Sequence, residues 1–143
     1  MESTFTDRFP VRIYWEDTDA GGIVYHANYL KYMERARSEL LARLEVSQQD
    51  ERQRPDGVLF VVVAGDLRYH RAAVLGDDLT VVTTVSKLRH ASLEFEQNIF
   101  RGDERITTGH VRVACVSAAT MRPTVIPDTI YARVSELLST DSN

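Results

Sequence analysis

Hydrophobic and polar positions along this chain repeat with two different periods. Val11, Ile13 and Trp15 alternate with Arg12 and Tyr14, the two-residue period of a half-buried strand. From about His26 to Leu44 the period lengthens. Leu30, Met33, Ala36, Leu40, Leu41 and Leu44 recur at three- and four-residue steps and form one apolar stripe. Glu34, Arg35, Ser38, Glu39 and Arg43 lie off it, and Glu39 and Arg43 have the spacing of an i,i+4 ion pair. No Pro or Gly interrupts the run, which predicts a helix of nearly ~30 Å. Val46 to Gly57 is mostly polar, with Pro55 and Gly57, and predicts a loop.

Beyond that loop the two-residue period returns. Val58–Ala64 is a continuous apolar run of strand length, extended by alternation through Leu67 and Tyr69. Leu79, Val81, Thr83 and Val85 alternate, as do Leu93, Phe95, Gln97 and Ile99. Arg101-Gly102-Asp103-Glu104 reads as a hairpin turn, and Ile106–Ser117 as a further strand rich in β-branched residues. Asp128 to Leu138 predicts a terminal helix capped by Asp128. The sum is one strand, one long helix, and four or five strands joined by short turns. Such turns argue for an antiparallel sheet. One helix covers one face of it, so self-association is expected.

Composition narrows the class. The 143 residues are 43% hydrophobic and 27% charged, enough for one domain with a core. No repeat or linker divides the chain, so 1–143 predicts a single domain, with 1–8 and 139–143 as loose ends. The net charge of −4 gives no basic stripe and argues against nucleic acid. A single cysteine, Cys115, excludes an internal disulfide framework, and no Cys/His spacing suits zinc. Its apolar neighbours predict a buried, inert thiol. The longest apolar run is too short to span a bilayer, and the polar Met1–Arg8 lacks the apolar stretch of a secretory leader. The expectation is a cytoplasmic domain without transmembrane segment, metal or cofactor.

Chemistry concentrates between the first strand and the helix, in Glu16-Asp17-Thr18-Asp19-Ala20-Gly21-Gly22 and the residues that follow. The plainest reading is a solvated acidic turn. A calcium loop fails: Gly21 stands where an Asp or Asn ligand is needed, and Asn28 where the bidentate Glu is required. A phosphate cradle fails on glycine spacing and the missing lysine. Acyl transfer is a third reading that stands beside the solvated turn. An ionised Asp19 attacks a carbonyl carbon or deprotonates the water that does. The first helical N–H groups, near Tyr25 to Ala27, lack intrahelical partners and carry the positive end of the helix dipole. Gly21 and Gly22 let a substrate approach the backbone without meeting a Cβ.

The stretch from Tyr14 to Leu30, followed by Tyr32 and Glu34-Arg35-Ala36-Arg37, closely resembles the signature of the 4-hydroxybenzoyl-CoA thioesterase family. Within it, the likeness is nearest to the bacterial Tol–Pal-associated acyl-CoA thioesterases. It continues through Tyr69-His70-Arg71-Ala72-Ala73, Leu75-Gly76-Asp77-Asp78-Leu79, Ser92-Leu93-Glu94-Phe95 and Arg122-Pro123, over nearly the whole chain. The resemblance implies an α+β hotdog fold, an antiparallel sheet of five to six strands wrapped around one long helix. It implies homodimers, often paired into homotetramers, with active sites at the subunit seam. The family's catalytic aspartate falls on Asp19, and the backbone donor that polarises the thioester carbonyl on His26. Nucleophile and general base both remain open for Asp19. Ala20 resembles the acyl-CoA type rather than the Asp-Pro-Ala-Gly of aromatic-CoA enzymes, which leans towards short or medium aliphatic acyl-CoA.

Around this pair, Gly22, Tyr25, Asn28 and Tyr29 are candidates to line the acyl or pantetheine channel, and the His26 ring is a candidate acid or base. The basic turn of Lys87, Arg89, His90 and Ser92 is a candidate grip for the CoA phosphates, with Arg122 a weaker one. His70 and His110 read as structural. Two other functions compete: a weakly catalytic module that binds acyl carrier protein or an envelope partner, and a hotdog dehydratase or hydratase using His26 with Asp19. Release of free thiol separates hydrolysis from hydration.

Overall fold

The computed structural model describes residues 6–139. Of the loose ends expected at 1–8 and 139–143, residues 1–5 and 140–143 lie outside the described residues, while Asp7 and Arg8 are corrected: both pair in the first strand and Asp7 is buried. Five strands form one antiparallel sheet in the order β1-β3-β4-β5-β2: β1 is Asp7–Arg12, β2 Val58–Tyr69, β3 Asp78–Leu88, β4 Ser92–Arg101 and β5 Glu104–Ser117. Helix α1, Asn28–Arg43, lies across one face. Two further helices, α2 (Gln48–Gln53) and α3 (Asp128–Ser139), close the end near the C-terminus of α1.

The alternation read in the strands sets which side chains meet the helix. Val81, Ile99 and Thr107 sit opposite one another across β3, β4 and β5, and so do Val85, Phe95 and Val111. All six are buried. Between these rows Gln97 lies opposite Thr83 and Gly109. Its side-chain N–H groups donate to the Met33 carbonyl of α1 (2.9 Å) and to Thr83 Oγ1 (3.0 Å), and its Oε1 accepts from Arg37 (2.9 Å). A polar residue at the centre of a core is tolerated because its bonds are satisfied. Gly109 leaves room for Met33, whose Sδ would lie 2.8 Å from an added Cβ.

The opposite face is polar. Thr84, Glu96, His110 and Asp66 form one cross-strand row, partly or fully exposed, with His110 Nδ1 3.2 Å from Asp66 Oδ1. That face tolerates water, so the uncovered side does not by itself demand a partner. The free edge of β2 is different: Val62 and Val63 are exposed there, beside a bulge.

Four local expectations are corrected. The first strand runs from Asp7 to Arg12, because its backbone pairs with β3 from Thr83 to Asp78. Trp15 does not continue it. Asp17 folds its carboxylate back onto the Tyr14 N–H (2.8 Å), which closes a single 3-10 turn at Trp15–Asp17 and leaves Trp15 79% exposed. Arg43 pairs with the buried Asp7 of β1 and not with Glu39. The segment Gln48–Gln53 is helical, started by Ser47 Oγ accepting from the Asp50 N–H (3.2 Å).

Candidate active site

The chain between β1 and α1 folds back on itself as a tight loop. Thr18 bridges Val24, the Asp19 N–H donates to the Ile23 carbonyl (2.9 Å), and Gly22 N–H donates to the Asp19 carbonyl (3.0 Å). Gly22 has φ +82°, a conformation that side chains disfavour and glycine adopts freely. The Gly21 N–H donates to Asp19 Oδ1 at 2.8 Å, and a Cβ on Gly21 would crowd that oxygen at 3.2 Å. The loop therefore holds the carboxylate by one oxygen. Asp19 is exposed.

A turn at His26–Ala27 follows the loop and opens α1. The helix begins at Asn28, two residues later than its apolar pattern suggests, because the Asn28 N–H is tied to the Tyr25 carbonyl (2.9 Å). Among the described residues, nothing accepts from the N–H groups of His26 and Ala27. These are the orphan donors of a helix start, and they attract a developing negative charge.

Aromatic rings surround this turn. Tyr25 and His26 have centroids 4.7 Å apart, His26 and Tyr69 6.2 Å, and Tyr29 and Tyr69 5.8 Å. The Tyr69 hydroxyl donates to the His26 carbonyl (3.3 Å). Tyr29 is buried, and its hydroxyl accepts from the Ala73 N–H (3.2 Å). Burial pushes its phenol above the usual range. The Asn28 side chain donates to the Asp17 carbonyl (2.9 Å).

The loop 70–77 backs the site from the other side. The Ala73 carbonyl accepts from the Val24 N–H (2.8 Å), and Val74 bridges Ile23. Arg101 fixes that loop by donating to Asp77 Oδ2 (2.7 Å) and the Ala72 carbonyl (3.2 Å), while its other N–H groups hold Glu104. Burial alone would raise the Asp77 pKa, but the Val74 N–H and Arg101 hold it below the usual carboxylate range. Sequence reasoning gave Tyr69, Ala73 and Arg101 no role. The break in alternation after Tyr69 was the available signal for the loop, whereas Arg101 reads only as a turn residue.

Tyr25, His26 and Tyr29 thus cluster with Tyr69, Asn28 is tied to Asp17, and Asp19 and Gly22 lie in the loop that leads into this turn. Lys87, Arg89 and Ser92 do not join them. They sit where β3 ends and β4 begins, whereas the site lies where β3 begins. An 11-residue strand separates the two, a span of roughly 35 Å. Arg89 is paired with Glu94 (3.1 Å). Arg122 lies at the same far end, its carbonyl accepting from Ser117 N–H. Cys115 is fully buried, as expected, and burial pushes its thiol up to about 11. No cluster of metal-ligating side chains occurs among the described residues, and no helix among them is long and apolar enough to cross a membrane.

A long helix cradled by an antiparallel sheet, with a carboxylate loop at the helix start, defines a class, and known proteins carry the same frame. Residues 13–134 match the model of the thioesterase-like superfamily, and the chain belongs to that family. A probable thioesterase from Bartonella henselae superposes with a TM-score of 0.81 at 32% identity, over 86% of this chain and 100% of that one. The hotdog fold is thereby established. Among curated relatives, the acyl-CoA thioesterase YbgC of Haemophilus influenzae is 43% identical over 90% of this chain and 94% of its own. The acyl-CoA thioester hydrolase YbgC of Escherichia coli is 39% identical over 90% of this chain and 96% of its own.

Proposed function

We propose that this chain is an acyl-CoA thioester hydrolase that releases free CoA and a carboxylic acid. One observation carries the reading: the loop that fixes the Asp19 carboxylate through the Gly21 N–H runs on within a few residues into a helix start whose His26 and Ala27 N–H groups are unpaired. In this reading the thioester oxygen rests against those donors. Asp19 attacks the carbonyl carbon directly, or takes a proton from the water that attacks it. The negative charge gathering on oxygen is stabilised by the N–H groups, an arrangement whose donors are each worth roughly 2.7–4 kcal/mol of barrier. Collapse breaks the C–S bond and the sulfur leaves as thiolate, to be protonated as CoA; on the direct route a water then cleaves the acyl–Asp19 anhydride, releasing the carboxylic acid and restoring the carboxylate. Gly22 and Tyr25 line the approach, with Tyr29 buried against Tyr69, and the His26 ring, exposed beside Tyr25, is available as a proton donor to that sulfur.

The reading includes a second copy. In one chain Asp19 faces open solvent. One turn along α1, an apolar groove of about 550 Å³ runs between Leu30 and the exposed edge of β2, lined also by Val62, Leu67 and Val111. A partner packed on that edge as a homodimer, or paired further into a homotetramer, supplies the missing wall and closes the groove for a short or medium aliphatic acyl chain. It also offers its own Lys87, Arg89 and Ser92 to the CoA phosphates, which one chain's geometry cannot do. The reduced, buried Cys115 suits a cytoplasmic setting.

The test is thiol release from a panel of acyl-CoA and acyl-carrier-protein thioesters of rising chain length, with wild type and Asp19→Asn. Turnover that disappears in the variant supports the reading, and unchanged turnover ends it. A stable complex with acyl carrier protein and no turnover of any ester would favour the binding module instead. Light scattering on the eluting protein gives the oligomer.

A further inference from the structure

Asp17 and Asn28 form a junction that the hydrolytic chemistry does not use directly. The Asp17 carbonyl accepts two bonds, from the Tyr25 N–H and from the Asn28 side-chain amide, both 2.9 Å. Its carboxylate accepts from the Tyr14 N–H at 2.8 Å. One residue therefore ties the turn before the Asp19 loop to the strand-like piece after it and to the first turn of α1. The Tyr32 phenol, 1% exposed and one helical turn beyond Asn28, lies near Asp17 but makes no hydrogen bond among the described residues; burial first, then the Asp17 carboxylate, raises its pKa. Asn28 is itself buried, with 9% exposure, and its amide faces the loop rather than the open surface.

Two distances matter to the proposed reaction: that from the Asp19 carboxylate to the thioester carbon, and that from the helix N–H groups to its oxygen. Asp17 lies two residues before Asp19, and Asn28 two residues after His26. The bond between them is the side-chain link that sets one partner of the chemistry against the other. We propose that Asn28 is a positioning residue, holding the Asp19 loop in register with the opening of α1 through the Asp17 carbonyl. The inference rests on Asp19 being the catalytic carboxylate.

The test uses the full chain with Asn28→Asp, Asn28→Ala and Asp19→Ala. Asn28→Ala removes the donor alone, whereas Asn28→Asp keeps the size of asparagine but turns a buried acceptor against the Asp17 carbonyl, so thermal melting accompanies both variants. Misplacement of about 1 Å is enough to lower turnover about 100-fold. Both Asn28 variants are expected to lose kcat by about 10- to 100-fold with KM within about twofold of wild type. A raised KM with unchanged kcat would mean that Asn28 binds substrate, and a lowered melting temperature with both constants retained would mean that it only supports the fold. Either result overturns the inference. Near-total loss in Asp19→Ala alongside normal kcat in the Asn28 variants refutes the positioning role alone. Full activity in Asp19→Ala refutes the catalytic reading and the inference with it.

Discussion

Beneath the first half of α1, the buried cluster mixes aliphatic side chains with Tyr29, Tyr32, Met33 and the small Ala36 and Ala73. Beneath the second half it is almost entirely aliphatic, with Leu40, Leu41, Val85, Leu93 and Phe95 sealed by Ile130 and Val134 of α3. The first end is held by directed bonds: Asp17 to Asn28, Ala73 to Val24 and Tyr29, Arg101 to Asp77. Around it Tyr14, Trp15, Ile23 and Tyr25 remain exposed. Apolar burial is non-directional and fills space, whereas hydrogen bonds fix atoms at set distances. The far end therefore suits stability and the near end suits geometry, and substitutions should separate the two properties.

The widest separation is expected from Asp19→Asn. The side chain is exposed and bonds only within its own loop, so stability should stay within about 0.5 kcal/mol. Turnover should fall by a factor of about 10²–10⁴. Steady-state thiol release together with thermal melting checks both halves. A variant that loses its fold along with its activity would break the comparison.

Gly57→Ala should do the reverse. A Cβ there would lie 1.6 Å from the Glu51 carbonyl oxygen, a backbone atom of α2 that cannot turn aside. The loss is expected to be about 3 kcal/mol, at the upper end for overpacking. Activity per folded molecule should be unchanged, since α2 lies at the end of the sheet opposite Asp19. Urea melts and active-site-normalised rates measure the two effects.

Arg101→Met probes the boundary between the regions. It removes the donors that hold Asp77, Ala72 and Glu104, with an expected loss of about 1–2 kcal/mol. Because the released loop carries Ala73, which bonds both Val24 and Tyr29, turnover should also fall several-fold. If stability drops with no change in rate, the loop 70–77 belongs with the far end and the division drawn here moves.

The comparison also explains what could be read before folding. Strands β3 to β5 and helix α1 are amphipathic, so burial imprints its period on them; Leu79 to Val85 and Met33 to Leu41 announce their faces, whereas Leu30, read into the same stripe, is 51% exposed. The acids, glycines and histidine of the site also stand together because one local loop carries them. What escaped notice depends on partners distant in sequence. Gln97 occupies an inward position of an alternating strand, and its bonds to Thr83, Met33 and Arg37 come from two other elements, β3 and α1. Trp15 fits the alternation, yet the Asp17 carboxylate ends the strand before it. The separation of Lys87 and Arg89 from Asp19 follows from strand direction, which a basic turn taken alone does not reveal. The six residues of α2 are too few to show a period.

The smallest effect is expected at Cys115, and it tests how well the far end is sealed. The thiol is fully buried, with Sγ 3.7 Å from the Val125 carbonyl oxygen. Burial, with the Glu51 carboxylate adding, raises its pKa from 9.0 to about 11. In the unfolded chain the thiol ionises near the ordinary value. Above pH 9 the unfolded state therefore binds fewer protons than the folded state, and stability falls as pH rises towards the folded pKa. By pH 10 the loss should be about 1 kcal/mol. Cys115→Ala should lack this slope, whatever its effect at neutral pH, so the difference between the two urea-melt series from pH 8 to 10 isolates the thiol. The folded wild type should also leave a thiol reagent unreacted at neutral pH, because the thiolate is both scarce and inaccessible. Rapid labelling with turnover intact would show that the far end opens as readily as the site, and the division between a sealed half and an open half would fail.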